Sequence, residues 1–175
     1  MANTFVPIQS VTLGSAAASV TFSGIPQTYT DLVLRASVRT DPASFAINEI
    51  FIRLNAIGTE SYSTTSLQGN GASASSGRQS NDTVIMAGYA TAELATSNTF
   101  SSFELYIPNY GSSATKTFSS FTAHENNSTT AYLNAVAGLA AISSAVTSLS
   151  VLPNTSGTIN FVAGSSFHLY GIKNS

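Results

Sequence analysis

The chain has 175 residues, of which 14 carry a formal charge, while 29 are Ser and 21 are Thr. A charged fraction of 8% is far below the quarter or so that is usual in globular domains. The six Lys and Arg residues are scattered singly, so no basic stripe is present to follow a nucleic-acid backbone. The absence of Cys excludes disulfides, thiolate chemistry and Cys-based zinc sites.

The hydrophobic fraction of 43%, with ten Phe and seven Tyr, is enough to build a core. No repeat, linker or shift in charge divides the chain, so we expect one domain over residues 1–175. The start lacks a basic segment followed by an apolar run, and no stretch approaches about 18 apolar residues. We therefore expect neither a signal peptide nor a membrane span.

The predicted elements are short strands. Residues 1–7 form an apolar arm that either adds an edge strand or reaches a neighbouring molecule. Further along, apolar residues alternate with polar ones, which is typical of half-buried strands. The clearest alternating sets are Leu32, Leu34, Ala36 and Val38; Ile50, Ile52 and Leu54; Phe103, Leu105 and Ile107; and Phe167, Leu169 and Gly171.

Weaker strand candidates lie at residues 5–13, 19–22, 83–89, 115–124, 131–140 and 146–152. Residues 68–82, rich in Gly, Ala and Ser, are predicted to be a flexible loop that contains the turn signal Gly69-Asn70-Gly71. Residues 135–145 are Ala-rich and could form a strand or a helical turn, and we favour the strand. About 8–10 short strands separated by turns predict an all-β fold, an antiparallel, jelly-roll-like β-sandwich.

Chemical motifs are missing from the sequence. There is no Gly-x-Ser-x-Gly elbow, the glutamates lie on separate segments, and the aspartates lack the spacing of a metal loop. His124 and Glu125 are adjacent on a predicted strand, so their side chains point to opposite faces. We therefore expect no enzymatic activity, no catalytic residues, no metal and no cofactor.

The low charge favours an assembled protein. Charge keeps monomers apart, whereas hydroxyl and small apolar groups are cheap to desolvate against a neighbour. Phe51, Tyr106 and Tyr170 fall on the polar side of their strands, where they could be covered within the sandwich, contact another subunit or stack on sugars. The residues predicted to contact a partner are Thr4, Phe5, Gln68, Arg78, Tyr106 and Tyr170.

Four phrases carry a family resemblance: YTDLVLRAS at 29–37, FIRLN at 51–55, FELYIPNY at 103–110 and GSSFHLYGIK at 164–173. Together they resemble a module of virion structural proteins in tailed bacteriophages, and the likeness extends over nearly the whole chain. The resemblance implies a jelly-roll protein of the capsid or of a fibre, without transferable catalytic residues.

Within that resemblance, the chain has no sustained heptads or periodic shaft, which favours the capsid over a fibre. The expected function is that of a capsid decoration (cement) protein on the outer surface of the virion, made in the cytoplasm of the bacterial host. Its expected partners are copies of itself, as a homotrimer, and the major capsid protein, with no nucleic acid and no membrane. The alternative is a tail or head fibre module that binds a glycan receptor.

Overall fold

The computed structural model describes residues 4–59, 61–127, 130–154 and 158–173. All regular structure in these residues is β-strand, and none of them forms a helix long and apolar enough to cross a membrane. The twelve strands are β1 (Phe5–Thr12), β2 (Val20–Ser23), β3 (Asp31–Val38), β4 (Ile47–Leu54), β5 (Tyr62–Gly69), β6 (Ala74–Asp82), β7 (Ile85–Thr91), β8 (Ser101–Ile107), β9 (Lys116–His124), β10 (Tyr132–Ala140), β11 (Ser148–Pro153) and β12 (Ser166–Ile172).

Two antiparallel sheets pack face to face. The large sheet has eight strands in the order β1-β12-β3-β8-β9-β10-β5-β6, and the small sheet has four in the order β2-β11-β4-β7. We call the side of the large sheet that is turned toward the small sheet its inner face, and the opposite side its outer face. The prediction of an all-β antiparallel sandwich is confirmed.

Eight of the strands pair in a nested pattern. β1 pairs with β12, β2 with β11, β3 with β8 and β4 with β7, so the chain resembles one long hairpin that has been rolled up. This arrangement divides the strands into β1-β12-β3-β8 on one side and β2-β11-β4-β7 on the other. It is the arrangement of a jelly roll, an eight-stranded double sheet.

The remaining four strands are two hairpins inserted into the jelly roll. The hairpin β5–β6 lies between β4 and β7 in the chain, and β9–β10 lies between β8 and β11. Both join the same end of the large sheet, where β9 pairs with β8 and the order continues through β10 and β5 to β6. We call β5, β6, β9 and β10 the extension.

The core lies between the sheets and follows the alternation seen in the sequence. Residues such as Leu34 and Phe103 of the large sheet, and Phe22 and Ile52 of the small sheet, belong to one cluster of buried side chains. β7 also contacts β9 and β10, so the small sheet covers part of the extension as well. It does not cover β6, whose residues are exposed on both faces from Ala74 to Asn81.

Several sequence predictions need correction. Residues 68–82 are not a flexible loop, because they form the end of β5, a tight turn and the strand β6. Two of the twelve strands, β5 and β6, were not predicted as strands, because neither has a run of alternating apolar residues. The turn prediction is confirmed, since Asn70 Oδ1 accepts hydrogen bonds from the backbone N–H groups of Ala72 (3.0 Å) and Ser73 (2.8 Å), and Gly71 has φ of +84°.

The structure also decides two alternatives that the sequence left open: whether the arm adds an edge strand, and whether residues 135–145 form a strand or a helical turn. Phe5, Val6 and Pro7 begin the edge strand β1, while residues 1–3 of the arm lie outside the described residues. Residues 135–140 belong to strand β10, as favoured from the sequence, and 141–145 form the following loop without a helical turn.

Candidate interaction surface

The outer face of the extension is apolar where an exposed sheet face would normally be polar. Side chains alternate along each strand, so on β9 the residues Ser119 and Phe121 point outward while Phe118 and Ser120 point inward. We call the outward set the extension face. It consists of Thr65, Leu67, Ser76, Arg78, Ser119, Phe121, Leu133, Ala135, Ala137 and Leu139.

Large hydrophobic side chains are concentrated on this surface. Seven large hydrophobic residues are exposed among the described residues, and four of them belong to the extension face: Leu67 (59%), Phe121 (48%), Leu133 (53%) and Leu139 (38%). Scattered exposed hydrophobics are normal, but a contiguous apolar patch usually marks an interaction site. The extension face is therefore the leading candidate for a partner contact.

A groove of about 550 Å³ runs across the extension face. The strand register aligns Phe121 with Ala135, and Ala135 with Leu67, on three neighbouring strands. Because alanine is small, its positions form the floor of the groove, and the larger Leu67, Phe121 and Tyr106 form the walls. The groove is open and shallow enough to receive a ridge of side chains from another protein.

Polar groups on the β3 and β8 side of the groove are paired with one another. Arg35 Nε donates to Glu104 Oε2 at 2.7 Å, on the outer face of the jelly-roll strands β3 and β8. The Tyr106 hydroxyl donates to Asp31 Oδ2 at 2.8 Å, and this hydrogen bond raises the pKa of Tyr106. Arg78 is the charged residue on the extension face itself.

The inner face of the extension is unusually polar for the interior of a sandwich. Buried polar residues there are Thr64, Lys116, Ser120, Thr122, His124 and Asn134. The Lys116 ammonium donates to the carbonyl oxygens of Ser112, Ala114 and Ile142, and burial lowers its pKa. Neither side-chain atom of Asn134, which is fully buried, has a hydrogen-bond partner among the described residues.

The structure places all six predicted interface residues on or beside the large sheet. Phe5 and Tyr170 lie together at the β1 end, with ring centroids 6.4 Å apart and the Arg35 guanidinium 5.4 Å from the Phe5 ring. Thr4 lies next to them and accepts a backbone hydrogen bond from Lys173 at 3.2 Å.

The other three predicted residues lie toward the extension. Tyr106 lines the groove, and Arg78 is exposed on β6. Gln68 is paired in register with the buried Asn134 and therefore belongs to the opposite side of β5 from Leu67. Thr4, Phe5 and Tyr170 thus form one group, while Tyr106, Arg78 and Gln68 lie apart from it and from one another. Whether the six residues contact a partner stays a prediction.

Sequence reasoning missed the hydrophobic members of the extension face. A signal was present, because Leu133, Ala135, Ala137 and Leu139 occupy every second position of β10. Residues 131–140 were predicted only as a weaker strand, with no assignment of which side is buried. In this strand, Asn134 and Val136 are the buried side chains.

A second depression, of about 410 Å³, lies on the outside of the small sheet. Its lining includes Asn48, Glu49, Tyr89 and Asn154, and Asn154 Nδ2 donates to Glu49 Oε2 at 2.8 Å. Burial raises the pKa of the Glu49 carboxyl, and the Asp82 carboxylate raises it further. The Nδ2 of Asn48 is buried and has no hydrogen-bond partner among the described residues.

Comparison with known proteins gives little further identification. No protein-family model matches the chain, and no curated protein matches it. Among solved structures, it aligns with a crystal structure of scytalido-glutamic peptidase with a transition state analogue inhibitor. The alignment has a TM-score of 0.30 and 12% identity, and it covers 88% of this chain and 73% of that chain.

This alignment corrects one sequence prediction. We expected no enzymatic activity, and the match to a peptidase contradicts that expectation, so we do not maintain it. A TM-score of 0.30 is too low to transfer an active site or an activity, and we assign no peptidase residue to this chain.

Proposed function

We propose that this chain is a structural subunit of a tailed-phage virion, a decoration (cement) protein that binds the outer capsid surface and bridges subunits of the major capsid protein. The observation that supports this proposal most directly is the extension face, an apolar surface with a single charged residue on a chain of very low charge. The proposal that the particle is a phage virion rests on the sequence resemblance to phage virion modules.

Binding would be driven by the burial of apolar side chains. Full burial of one Leu or Phe side chain contributes roughly 1.5–3 kcal/mol, and the four exposed hydrophobics of the extension face are about half exposed. Each copy would therefore gain a few kcal/mol, which is modest for a single contact. Contacts to two neighbouring capsid subunits at once would raise the effective affinity by multivalency.

A variant series tests this mechanism. Phe121→Glu places a carboxylate in the wall of the groove, and Leu133→Glu places one on the extension face at the start of β10. Ser37→Glu places one on the outer face of the jelly-roll strand β3 as a control. We expect the first two variants to lose binding to purified virus particles in a co-sedimentation assay and the control to retain it. Equal loss in all three variants would contradict a contact through the extension face.

Ionic strength provides an independent test. Because the surface carries few charges, binding should change little between about 0.05 M and about 0.5 M salt, a range over which the Debye length falls about threefold. The proposal is falsified if salt in this range strips the protein from particles. Quantitative mass spectrometry should also find hundreds of copies per particle.

A glycan-binding fibre module remains the second candidate, and the depression on the small sheet favours it. The Glu49 carboxyl, the Asn154 amide and the Tyr89 ring combine hydrogen-bonding groups with an aromatic surface, as saccharide sites do. Saturable binding to surface polysaccharide of the host, lost in Tyr89→Ala and retained in Phe121→Glu, would support it. A fibre module would also be present in only a few copies per particle.

A further inference from the structure

The strand β6 (Ala74–Asp82) is an open edge of the large sheet. It pairs with β5 on one side, and both of its faces are exposed because the small sheet does not reach it. Six consecutive residues, Ala74 to Gln79, pair regularly with β5, and the register shifts only after Gln79. Every second backbone N–H and C=O of this run points away from β5, and no described strand pairs with them.

Open edges are normally protected by charge, proline or a bulge, because they can pair with another chain. Over Ala74–Gln79 the side chains are small or neutral, with Arg78 as the single charge, and there is no proline. The strand is therefore suited to accept a further strand at ordinary sheet spacing.

We propose that β6 pairs antiparallel with β6 of a second copy about a twofold axis, which joins two large sheets into one sheet of sixteen strands. Twofold interfaces are the commonest contacts between identical chains, and they place the same strand of both copies side by side. This proposal is independent of the phage assignment, and it makes a dimer rather than the trimer predicted from the sequence.

The charge on β6 disfavours one register, and we place the axis at the neighbouring Gly77. If the twofold axis passed through Arg78, two guanidinium groups would lie directly opposite each other, which is destabilising. With the axis at Gly77, residues 74–80 pair with 80–74 of the copy. Arg78 then lies opposite Ser76, Ser75 opposite Gln79, and Gly77 opposite Gly77.

The predicted dimer is weak in isolation. One short ladder buries less than the ~1,200 Å² typical of stable interfaces, so dilution should dissociate it. On a particle, neighbouring copies would be held at high local concentration, and the same pairing would then form readily.

Charge substitutions at Ser76 test the register, because Ser76 of each copy would lie opposite Arg78 of the other. One substitution therefore changes two contacts in the dimer. Ser76→Glu should tighten dimerisation and Ser76→Lys should weaken it, each by roughly 2- to 30-fold in the dissociation constant measured by sedimentation equilibrium. The double variant Ser76→Lys/Arg78→Glu should restore dimerisation to the level of Ser76→Glu or near it. Thr12→Glu and Thr12→Lys on β1 are the matched controls and should change nothing.

Cross-linking gives a second, geometric test, since the chain has no Cys of its own. Gly77→Cys puts two thiols opposite each other within disulfide distance, and a Cβ at Gly77 meets only Ser66 Oγ, at 3.3 Å. Ala74→Cys is the control, because its two copies would lie about 20 Å apart. Mild oxidation should produce a disulfide-linked dimer of Gly77→Cys and no disulfide-linked dimer of Ala74→Cys.

Two results would overturn the proposal. One is a chain that stays monomeric up to about 1 mM. The other is cross-linking of Ala74→Cys as fast as that of Gly77→Cys. If the wild-type chain dimerises through β6 but does not bind purified particles, the proposed function is contradicted and the β6 pairing stays supported, so the two proposals fail separately.

Discussion

The two halves of the large sheet distribute polarity in opposite ways. In the jelly-roll half, the inner face is apolar, with Leu34, Phe103 and Leu169 fully buried, and the outer face bears the Arg35–Glu104 ion pair. In the extension, buried polar groups occupy much of the inner face, and large hydrophobics lie outside. The comparison indicates that the jelly roll is built for its own stability, whereas the extension carries a surface that a partner is expected to cover.

The largest expected difference between the halves is in the free energy of unfolding that is lost when a buried phenylalanine of each half is replaced by alanine. Phe103→Ala, in the jelly-roll half, should lower the free energy of unfolding by about 3–5 kcal/mol, because a buried aromatic ring leaves a cavity. Phe118 belongs to the same buried cluster, but the inner face of the extension also buries polar residues such as Ser120 and Thr122. Phe118→Ala should therefore cost at least about 1 kcal/mol less, because less apolar surface is buried around this position. Urea unfolding followed by circular dichroism measures both, and an equal or larger loss at Phe118 would remove the distinction.

Glycines that lie under aromatic rings should show a smaller effect, common to both halves. A Cβ at Gly138 would lie 1.8 Å from Phe118 Cζ, and one at Gly171 would lie 2.3 Å from Tyr29 Cγ. Gly138→Ala and Gly171→Ala must displace these rings, so each should cost about 1–3 kcal/mol of unfolding free energy. Gly14→Ala, with no atom within 4 Å, is the control and should leave the unfolding midpoint nearly unchanged.

The smallest expected effect is a pH dependence of the free energy of unfolding, which we assign to His124 in the extension. Burial lowers the pKa of His124 below its ordinary value of 6.5, so below pH 6.5 the unfolded chain binds a proton that the folded chain does not. Stability should therefore fall as the pH falls from 6.5 through the lowered pKa, by at most about 1.4 kcal/mol per pH unit.

Two histidine variants check this assignment. Urea unfolding between pH 4.5 and 7 should show a flatter profile for His124→Gln, because the buried imidazole is gone. His168→Gln, which changes the histidine at the outer face of the jelly-roll half, should keep the wild-type profile. A profile unchanged by His124→Gln would assign the acid sensitivity to other groups.

The difference between the jelly-roll half and the extension also explains which strands could be predicted from the sequence. Alternation around Leu34, Ile52, Leu105 and Leu169 predicted jelly-roll strands correctly, because their inner positions are apolar and their outer ones mostly polar. β6 was predicted as a loop, since a strand exposed on both faces needs no hydrophobic period. The nested pairing of distant strands, such as β1 with β12, leaves no local trace in the sequence at all.

The candidate surface was predictable only in part. Tyr106 and Tyr170 were predicted as contact residues because each is an aromatic residue on the polar side of its strand. Both lie on the outer face of the large sheet. Leu67 and Phe121 gave no such signal, because their strands alternate too weakly to tell inside from outside. Only the position of the small sheet decides which side of β5 and β9 is covered.

The insertion of both hairpins at one end of the sheet has a geometric consequence. Each added strand moves the free edge outward by about 4.8 Å, so four strands carry it about 19 Å away from the jelly roll. None of the nested pairs of the jelly roll includes a strand of these hairpins, so the hairpins alone set how far the large sheet extends beyond β8.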